Sequence, residues 1–528
     1  MAELSGTSII GFHRGALNDA TLHGLNPTTR KPLSPAYCAA SAAEVDEAAR
    51  LAQKAFASYS QTTGAQRAHF LSKIAENIEA LGDTLISRAT QETGLPEGRI
   101  RSETGRTCGQ LRLFADLVSE GSWVDARIDH ADFERKPIAK PDVRSMLRPL
   151  GPVVVFGASN FPLAFSVAGG DTASGLAAGN PVIVKAHEAH PGTSELVGMA
   201  LSDAVRSCDL PEGVFSLIYG LGNKVGAALV KHPLIKAGGF TGSRAGGRAL
   251  FDAASSRTEP IPFYAEMSSV NPVIILPGAL TERAELIAVG LHGSVTLGAG
   301  QFCTNPGLIL LPDMEESKVL IAKLGDLMSG TEAQTMLSPG ISASYQRVIS
   351  SRSSHADVET VGPPARQGNG SCDATTALFR TDAKTFLANP ELSEEVFGPS
   401  TLVISYSDRE QLLQLAGALE GQLTATIHGS EEELRANSDL LRVLETKVGR
   451  LLFNGYPTGV EVCHSMVHGG PYPATSDGRS TSVGTRAIFR FARQVCFQGF
   501  PNAALPDELK DENPLGIWRL VDGKLTRE

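Results

Sequence analysis

Cys303 lies in the stretch Ala299-Gly300-Gln301-Phe302-Cys303-Thr304-Asn305-Pro306-Gly307. This small, glycine-bounded turn leaves little bulk beside the sulfur, so a ligand carbonyl can approach closely enough for nucleophilic attack. The competing role is that of a free cysteine as a small buried apolar side chain. A thiol with a pKa near ~8.5 is also mostly protonated at neutral pH and needs activation. Partner groups therefore decide between the two. Asn160, in Asn160-Phe161-Pro162, offers a side-chain amide that can donate to a developing oxyanion, although an Asn before an aromatic-Pro pair also forms ordinary turns. Gly242-Ser243-Arg244-Ala245-Gly246-Gly247 leaves a strand and opens a helix, where backbone N–H groups and the helix dipole can receive a pyrophosphate. It lacks the G-x-G-x-x-G spacing, and such turns also serve packing. Lys185 closes another strand within reach of ribose hydroxyls, and Glu188 suits the adenosine ribose. The seven cysteines (Cys38, Cys108, Cys208, Cys303, Cys372, Cys463, Cys496) form no C-x-x-C pair, so neither a disulfide framework nor a zinc site is expected.

These groups need strand ends to hold them, and the sequence supplies a βαβ series. Pro152–Phe156 and Pro181–Lys185 are short β-branched runs of the kind buried on both faces of a parallel sheet, and Leu163 to Ala178 between them reads as a helix. Val214–Tyr219 and Ala237–Thr241 continue the series with right-handed crossovers. Ahead of it, helical spacing runs from Ala43 to Tyr59, Ala65 to Leu81, Thr84 to Thr93 and Arg101 to Val118. Past Glu259-Pro260-Ile261-Pro262 a second α/β unit has strands at Val273–Leu276 and Leu308–Leu311. Two stretches stand apart, the Pro-interrupted segment 134–150 and the alternating Ala487–Phe497.

At 528 residues the chain is long enough for two or three domains, and 42% hydrophobic with 20% charged residues is ordinary for a soluble protein. A net charge of -10 gives no electrostatic reason to expect nucleic acid or an anionic membrane as partner. No basic leader followed by an apolar run and no long apolar span is visible, so a cytoplasmic, soluble protein is expected.

Several of these stretches occur together and in one order. Asn160-Phe161-Pro162, Val184-Lys185-Ala186-His187-Glu188, Phe240-Thr241-Gly242-Ser243, Ala265-Glu266-Met267-Ser268-Ser269-Val270-Asn271-Pro272, Gly300-Gln301-Phe302-Cys303 and Glu394-Glu395-Val396-Phe397-Gly398-Pro399 resemble the NAD(P)-dependent aldehyde dehydrogenase superfamily over roughly residues 20 to 500. Met267-Ser268-Ser269 departs from the usual Leu-Gly-Gly, and Phe302 precedes the cysteine. The resemblance implies an α/β fold with a Rossmann-type cofactor domain (1–133 and 151–262), an α/β catalytic domain (263–462) and a small β oligomerisation arm and tail (134–150 and 463–528).

The resemblance also assigns roles. Cys303 attacks the aldehyde as a thiolate, Asn160 and the Cys303 backbone N–H hold the oxyanion, and hydride transfer to the nicotinamide leaves a thioester. Glu266 activates the hydrolytic water and takes the thiol proton. Lys185 and Glu395 bind ribose hydroxyls, Phe397 backs the nicotinamide ribose, and Gly242, Ser243 and Gly247 receive the pyrophosphate. Glu188 favours NAD by repelling a 2'-phosphate, which His187, His190 and Thr193 nearby would offset, so NAD or NADP is expected. Asn454–Val462 and Val467–Ser476 are similar to 2-oxoglutarate semialdehyde (2,5-dioxopentanoate) dehydrogenases and equally to bacterial long-chain fatty aldehyde dehydrogenases. For the first substrate, Arg106 and Gln110, at i, i+4 spacing on one helix, are candidates to clamp the distal carboxylate. A non-catalytic binding protein on the same fold is the reading from another class. By the same resemblance the arm segments pair across subunits in a homodimer or homotetramer.

Overall fold

The computed structural model describes residues 3–220, 222–362 and 372–528. The first sheet runs, in spatial order, Phe263–Glu266, Ala237–Thr241, Val153–Phe156, Val182–Lys185, Phe215–Ile218, Ile9–Ile10 and His13–Arg14. The first five strands are parallel, and Ile9–Ile10 joins antiparallel to Phe215–Ile218. Chain order reverses between Val153–Phe156 and Ala237–Thr241. In an open α/β sheet the crevice beyond the carboxyl ends of two such strands is where ligands bind, and here those ends lead into Gly157–Asn160 and Gly242-Ser243.

Both faces of this sheet are covered, which is why its strands read as continuous apolar runs. Ala42–Tyr59, started by a Ser41–Glu44 capping box, buries Val45, Ala48, Ala49 and Ala52 in one core with Ile183 and Ile218. The helices Gly64–Ala80, Glu97–Glu120, Gly170–Ala178 and Pro191–Ser207 share the core of the other face with Val153, Val182 and Leu217. The second sheet runs Glu359–Val361, Ala377–Asp382, Ser400–Tyr406, Leu308–Pro312, Val273–Ile275, Gln422–His428 and Val448–Phe453, parallel except for its first strand. A third, five-stranded sheet joins Ala492–Gln498, Val143–Pro149, Arg127–Asp129, Arg519–Val521 and Lys524–Thr526. Among the described residues no helix is long and apolar enough to cross a membrane.

Several expected boundaries move, each for a local reason. The helix expected over Leu163–Ala178 starts only at Gly170, because the carboxylate of Glu103 accepts the N–H groups of Leu163 (2.9 Å) and Ala164 (3.0 Å) and holds them in a turn. In the segment 134–150 the strand begins at Val143, and in 487–497 a 3-10 helix, Thr485–Phe491, precedes the strand. These two strands pair with each other within the chain. Phe263–Glu266 belongs to the first sheet, beyond the expected boundary at 262, and Arg127–Asp129 belongs to the arm sheet. Part of the expected tail returns to the first sheet, where Met267 donates its N–H to the Ala474 carbonyl at 2.7 Å.

Candidate active site

The Cys303 turn is built under backbone constraint. Gly298, Ala299 and Gly300 all have positive φ, at 57°, 57° and 65°. A Cβ on Gly300 would stand 2.3 Å from the Gly398 carbonyl, so only glycine fits. Side chains rather than a ladder hold this turn. Gln334 accepts the Ala299 N–H at 2.6 Å, and Gln301 accepts the Leu337 N–H at 3.0 Å. The fully buried Asn271 donates to the carbonyls of Cys303 (2.8 Å) and Asn305 (2.9 Å), while its own oxygen accepts from Ser269 (2.9 Å) and Thr424 (3.0 Å). Asn271 is thus a strut between the second sheet and the cysteine.

Two further residues converge on the sulfur. His468 Nε2 lies 3.4 Å from Cys303 Sγ and 2.9 Å from Glu266 Oε1, and Ser482 donates to Glu266 Oε2 at 2.8 Å. Glu266 ends a first-sheet strand and is 4% exposed. Burial pushes its carboxyl up, but the His468 ring, the Ser482 hydroxyl and the Cys303 thiol outweigh burial and hold it below the usual range, so it is ionised at neutral pH. Burial and then the Glu266 charge push the Cys303 thiol well above its usual value. The resting state is therefore a protonated thiol beside a carboxylate, with an imidazole touching both.

Asn160 reaches the same place from the end of the Val153–Phe156 strand. Its amide donates to the Gln301 carbonyl at 3.0 Å, one of two hydrogens the group carries. Its turn is fixed by Glu103 and by Arg99, which pairs with Glu103 at 3.2 Å and lies over the rings of Phe161 (4.5 Å) and Phe302 (4.8 Å). Arg99 therefore bridges the Asn160 and Cys303 turns.

The groups brought together line one cavity of about 330 Å³ at the strand-order reversal, including Asn160, Gly242, Ser243, Glu266, Cys303, Glu395 and Phe397. Two of its lining groups suit a dinucleotide, and a third group stands outside it. Ser243 is exposed at the N-terminus of the Arg244–Ser255 helix, a ready anion site. Glu395, a candidate for ribose hydroxyls, accepts from Ser268 and from the Ser269 backbone, yet desolvation pushes its carboxyl up to about 7. Lys185 ends the adjacent strand, and its ammonium stands 3.5 Å from Glu188. Lys185, Glu188 and Gly247 do not line the Cys303 cavity. Gly247 packs instead, since a Cβ there would meet Met267 at 2.7 Å. His190 and Thr193 are fully buried and engaged, His190 with the Ala158 carbonyl at 2.8 Å and Thr193 with Glu92 at 2.8 Å, so they cannot offset Glu188 against a 2'-phosphate as expected.

Arg106 and Gln110 lie on the Glu97–Glu120 helix and do not line this cavity. The Arg106 guanidinium donates to the Val460 carbonyl and stands 5.8 Å from the Phe165 ring centre, and burial draws it below its usual range. Gln110 is 3% exposed, and a Cβ on Gly170 would be 2.7 Å from its Nε2, so it is wedged between helices. Arg450 holds the same loop as Arg106, donating to Pro457 (2.6 Å) and Gly459 (3.0 Å).

Sequence reasoning did not single out His468, Ser482, Asn271 or Glu103. His468 lies 165 residues from Cys303 and 202 from Glu266 in an irregular loop. Its only signal was the stretch Val467-His468-Gly469-Gly470, which carries no spacing to a partner.

Comparison with known proteins places the geometry in context. The profile described as "Aldehyde dehydrogenase family" matches residues 16–480. The chain is 50% identical to alpha-ketoglutaric semialdehyde dehydrogenase 2 of Azospirillum brasilense over 99% of both chains, and 48% identical to the alpha-ketoglutaric semialdehyde dehydrogenase of Acinetobacter baylyi over 100% of both. Among solved structures it is similar in fold to a 1-pyrroline-5-carboxylate dehydrogenase from Thermus with bound NAD (TM-score 0.79, 21% identity, 93% and 92% of the chains). It is likewise similar to an NAD+ complex of a Bacillus cereus aldehyde dehydrogenase (TM-score 0.80, 19% identity, 93% and 96% of the chains).

Proposed function

The chain belongs to the aldehyde dehydrogenase family, and from that premise we propose that it oxidises 2-oxoglutarate semialdehyde (2,5-dioxopentanoate) to 2-oxoglutarate with NAD as hydride acceptor. The observation that carries the substrate is the full-length identity of 50% and 48% to two proteins named for that aldehyde.

The chain's own groups account for the remaining chemistry. The ionised Glu266 takes the thiol proton of Cys303. The His468 N–H, shared between the carboxylate at 2.9 Å and the sulfur at 3.4 Å, stabilises the thiolate as it forms. Sulfur then bonds to the aldehyde carbon, and Asn160 together with the Cys303 backbone N–H holds the oxyanion, a contact worth about 2.7–4 kcal/mol per donor in a protease. A bound NAD would supply the hydride acceptor, with Gly242 and Ser243 to hold its pyrophosphate and Lys185, Glu395 and Phe397 to hold its riboses. After oxidation Cys303 carries a thioester. Glu266, its first proton released to solvent, deprotonates the water that attacks the thioester carbon and frees the thiolate.

Glu188 sets the preference for NAD by repelling a 2'-phosphate. Arg106, whose half-buried guanidinium is within electrostatic reach of Cys303, supplies the cation for the distal carboxylate, together with Gln110 one helical turn on. A panel of 2,5-dioxopentanoate and decanal, each assayed with NAD and NADP, tests the reading. The expected kcat/KM is highest for 2,5-dioxopentanoate with NAD, and equal or better use of decanal overturns the substrate. Arg106→Ala should raise KM for the keto acid about tenfold or more, as expected for one charged hydrogen-bond partner, and leave decanal unchanged. The edge strands Ala492–Gln498 and Val448–Phe453 each end a sheet, which supports a homodimer or homotetramer; light scattering on the purified chain decides the number.

A further inference from the structure

We propose that Cys303 Sγ, His468 Nε2 and a Glu266 carboxylate oxygen together form a binding site for one Zn²⁺ ion, and that the bound ion reversibly arrests the enzyme. The three ligand atoms lie within 4.8 Å of one another. A tetrahedral zinc with bonds of roughly 2.0 to 2.3 Å needs its ligand atoms about 3.3 to 3.6 Å apart. The sulfur-to-imidazole distance, 3.4 Å, already meets this, and the imidazole-to-carboxylate distance, 2.9 Å, must open by about half an ångström. The remaining pair, sulfur and carboxylate oxygen, lies within 4.8 Å and must come to about 3.6 Å.

Chemistry and charge agree with the geometry. Thiolate, imidazole and carboxylate are the donor types zinc prefers. A thiolate and a carboxylate neutralise the divalent ion, so the occupied site carries no net charge into a buried region. Binding replaces the thiol S–H bond with a zinc–sulfur bond and releases that proton to solvent, while the neutral His468 ring shifts its proton from Nε2 to Nδ1 so that Nε2 can ligate, with no change of oxidation state. Ser482, donating to the second Glu266 oxygen at 2.8 Å, orients the carboxylate as an outer-shell group does in metal sites. Cys303 and Glu266 both line the open cavity, which gives the ion a path in and leaves its fourth position to water. Three protein ligands with one open position is also why no C-x-x-C signal announces the site. His468 is the decisive member, since without it only one sulfur and one carboxylate remain.

The site shares residues with the proposed aldehyde chemistry, but its occupancy is read without turnover, so the two readings fail separately. The test is anaerobic titration of the metal-free full-length enzyme, in the absence of NAD, with Co²⁺ as a spectroscopic stand-in for zinc. One equivalent should produce a near-ultraviolet thiolate-to-cobalt band and intense visible bands of tetrahedral cobalt. Zn²⁺ should displace that signal, block iodoacetamide labelling of Cys303 and inhibit aldehyde oxidation, and excess EDTA should reverse all three. In Cys303→Ala the thiolate band should vanish. In His468→Gln, zinc affinity from competition with a chromogenic chelator should fall by at least the roughly ten- to hundredfold that loss of an outer-shell partner costs. A band that persists in Cys303→Ala, an unchanged affinity in His468→Gln, or unhindered Cys303 labelling at saturating Zn²⁺ overturns the proposal.

Discussion

Glu266 ends a strand paired in register with its neighbour from Gly238 to Thr241, so a backbone ladder inside a two-face core fixes its position. Cys303 sits 37 positions later in a turn with three consecutive residues at positive φ, held by the side chains of Asn271, Gln301 and Gln334. The two groups meet in one cavity, but the ladder distributes positional control over many bonds while the turn concentrates it in a few. Substitutions around Glu266 should therefore be forgiving, and those around Cys303 should not.

Removing the reactive atom sets the upper bound. Cys303→Ala should lower aldehyde oxidation by roughly 10⁴-fold or more, the scale seen for loss of a nucleophile, while NAD binding by calorimetry remains. Retained oxidation would place the nucleophile elsewhere. Glu266→Gln comes next, with an expected loss of about 10²- to 10⁴-fold in kcat for a general base. It also has a signed pH test. Burial first, then the Glu266 charge, raises the Cys303 thiol, with a smaller contribution from Glu395; deleting the Glu266 charge removes the second-largest cause, so the thiol titrates at lower pH. The midpoint of iodoacetamide labelling against pH should shift down, and an upward or absent shift rejects the electrostatic coupling.

The sharpest contrast between strand and turn comes from their polar supports. Asn271→Ala leaves the carbonyls of Cys303 and Asn305 without this donor and the hydroxyls of Ser269 and Thr424 without this acceptor. Each buried orphan costs about 1–3 kcal/mol, and kcat/KM should fall by about a hundredfold, with a lower Tm. Ser482→Ala removes one hydroxyl donor to the Glu266 carboxylate and leaves its strand intact, so about a tenfold loss is expected, near 1.4 kcal/mol. If Ser482→Ala proves the more damaging, control of the site lies on the strand side.

The same contrast explains what the sequence made legible. Strands at 153–156 and 182–185 were readable because burial on both faces leaves continuous β-branched runs, those at 215–218 and 237–241 followed from the strand–helix alternation, and the turns beyond them could be placed at strand ends. The chemistry of His468 was not readable, because a loop residue 165 positions from its partner shows no periodicity. Glu103 failed for the opposite reason. On an otherwise amphipathic helix a glutamate reads as solvent-facing, yet this one is 2% exposed and holds two backbone N–H groups of the Asn160 turn. Its buried charge is legible only once the packing neighbour, a non-helical turn, is known. Gly247 shows a motif position filled for packing, since Met267 occupies the space where its Cβ would be.

Arg99 offers the smallest and most discriminating perturbation, because it touches both loop-borne groups and leaves the Glu266 strand alone. Its guanidinium lies over Phe161 beside Asn160 and over Phe302 beside Cys303, and it pairs with Glu103. Arg99→Met keeps an apolar stem in the gap and removes the charge together with its ion pair to Glu103. A partly shielded cation–π contact is worth about 1 kcal/mol, so kcat/KM should fall about fivefold, and Tm should fall because the buried Glu103 carboxylate loses its paired cation. The loss should appear in kcat, because the oxyanion donor and the sulfur would drift relative to each other while the cofactor contacts stay in place. A change confined to KM for the aldehyde would instead make Arg99 a substrate contact, and the two turns would then owe their alignment to Asn271 and the Asn160–Gln301 hydrogen bond alone.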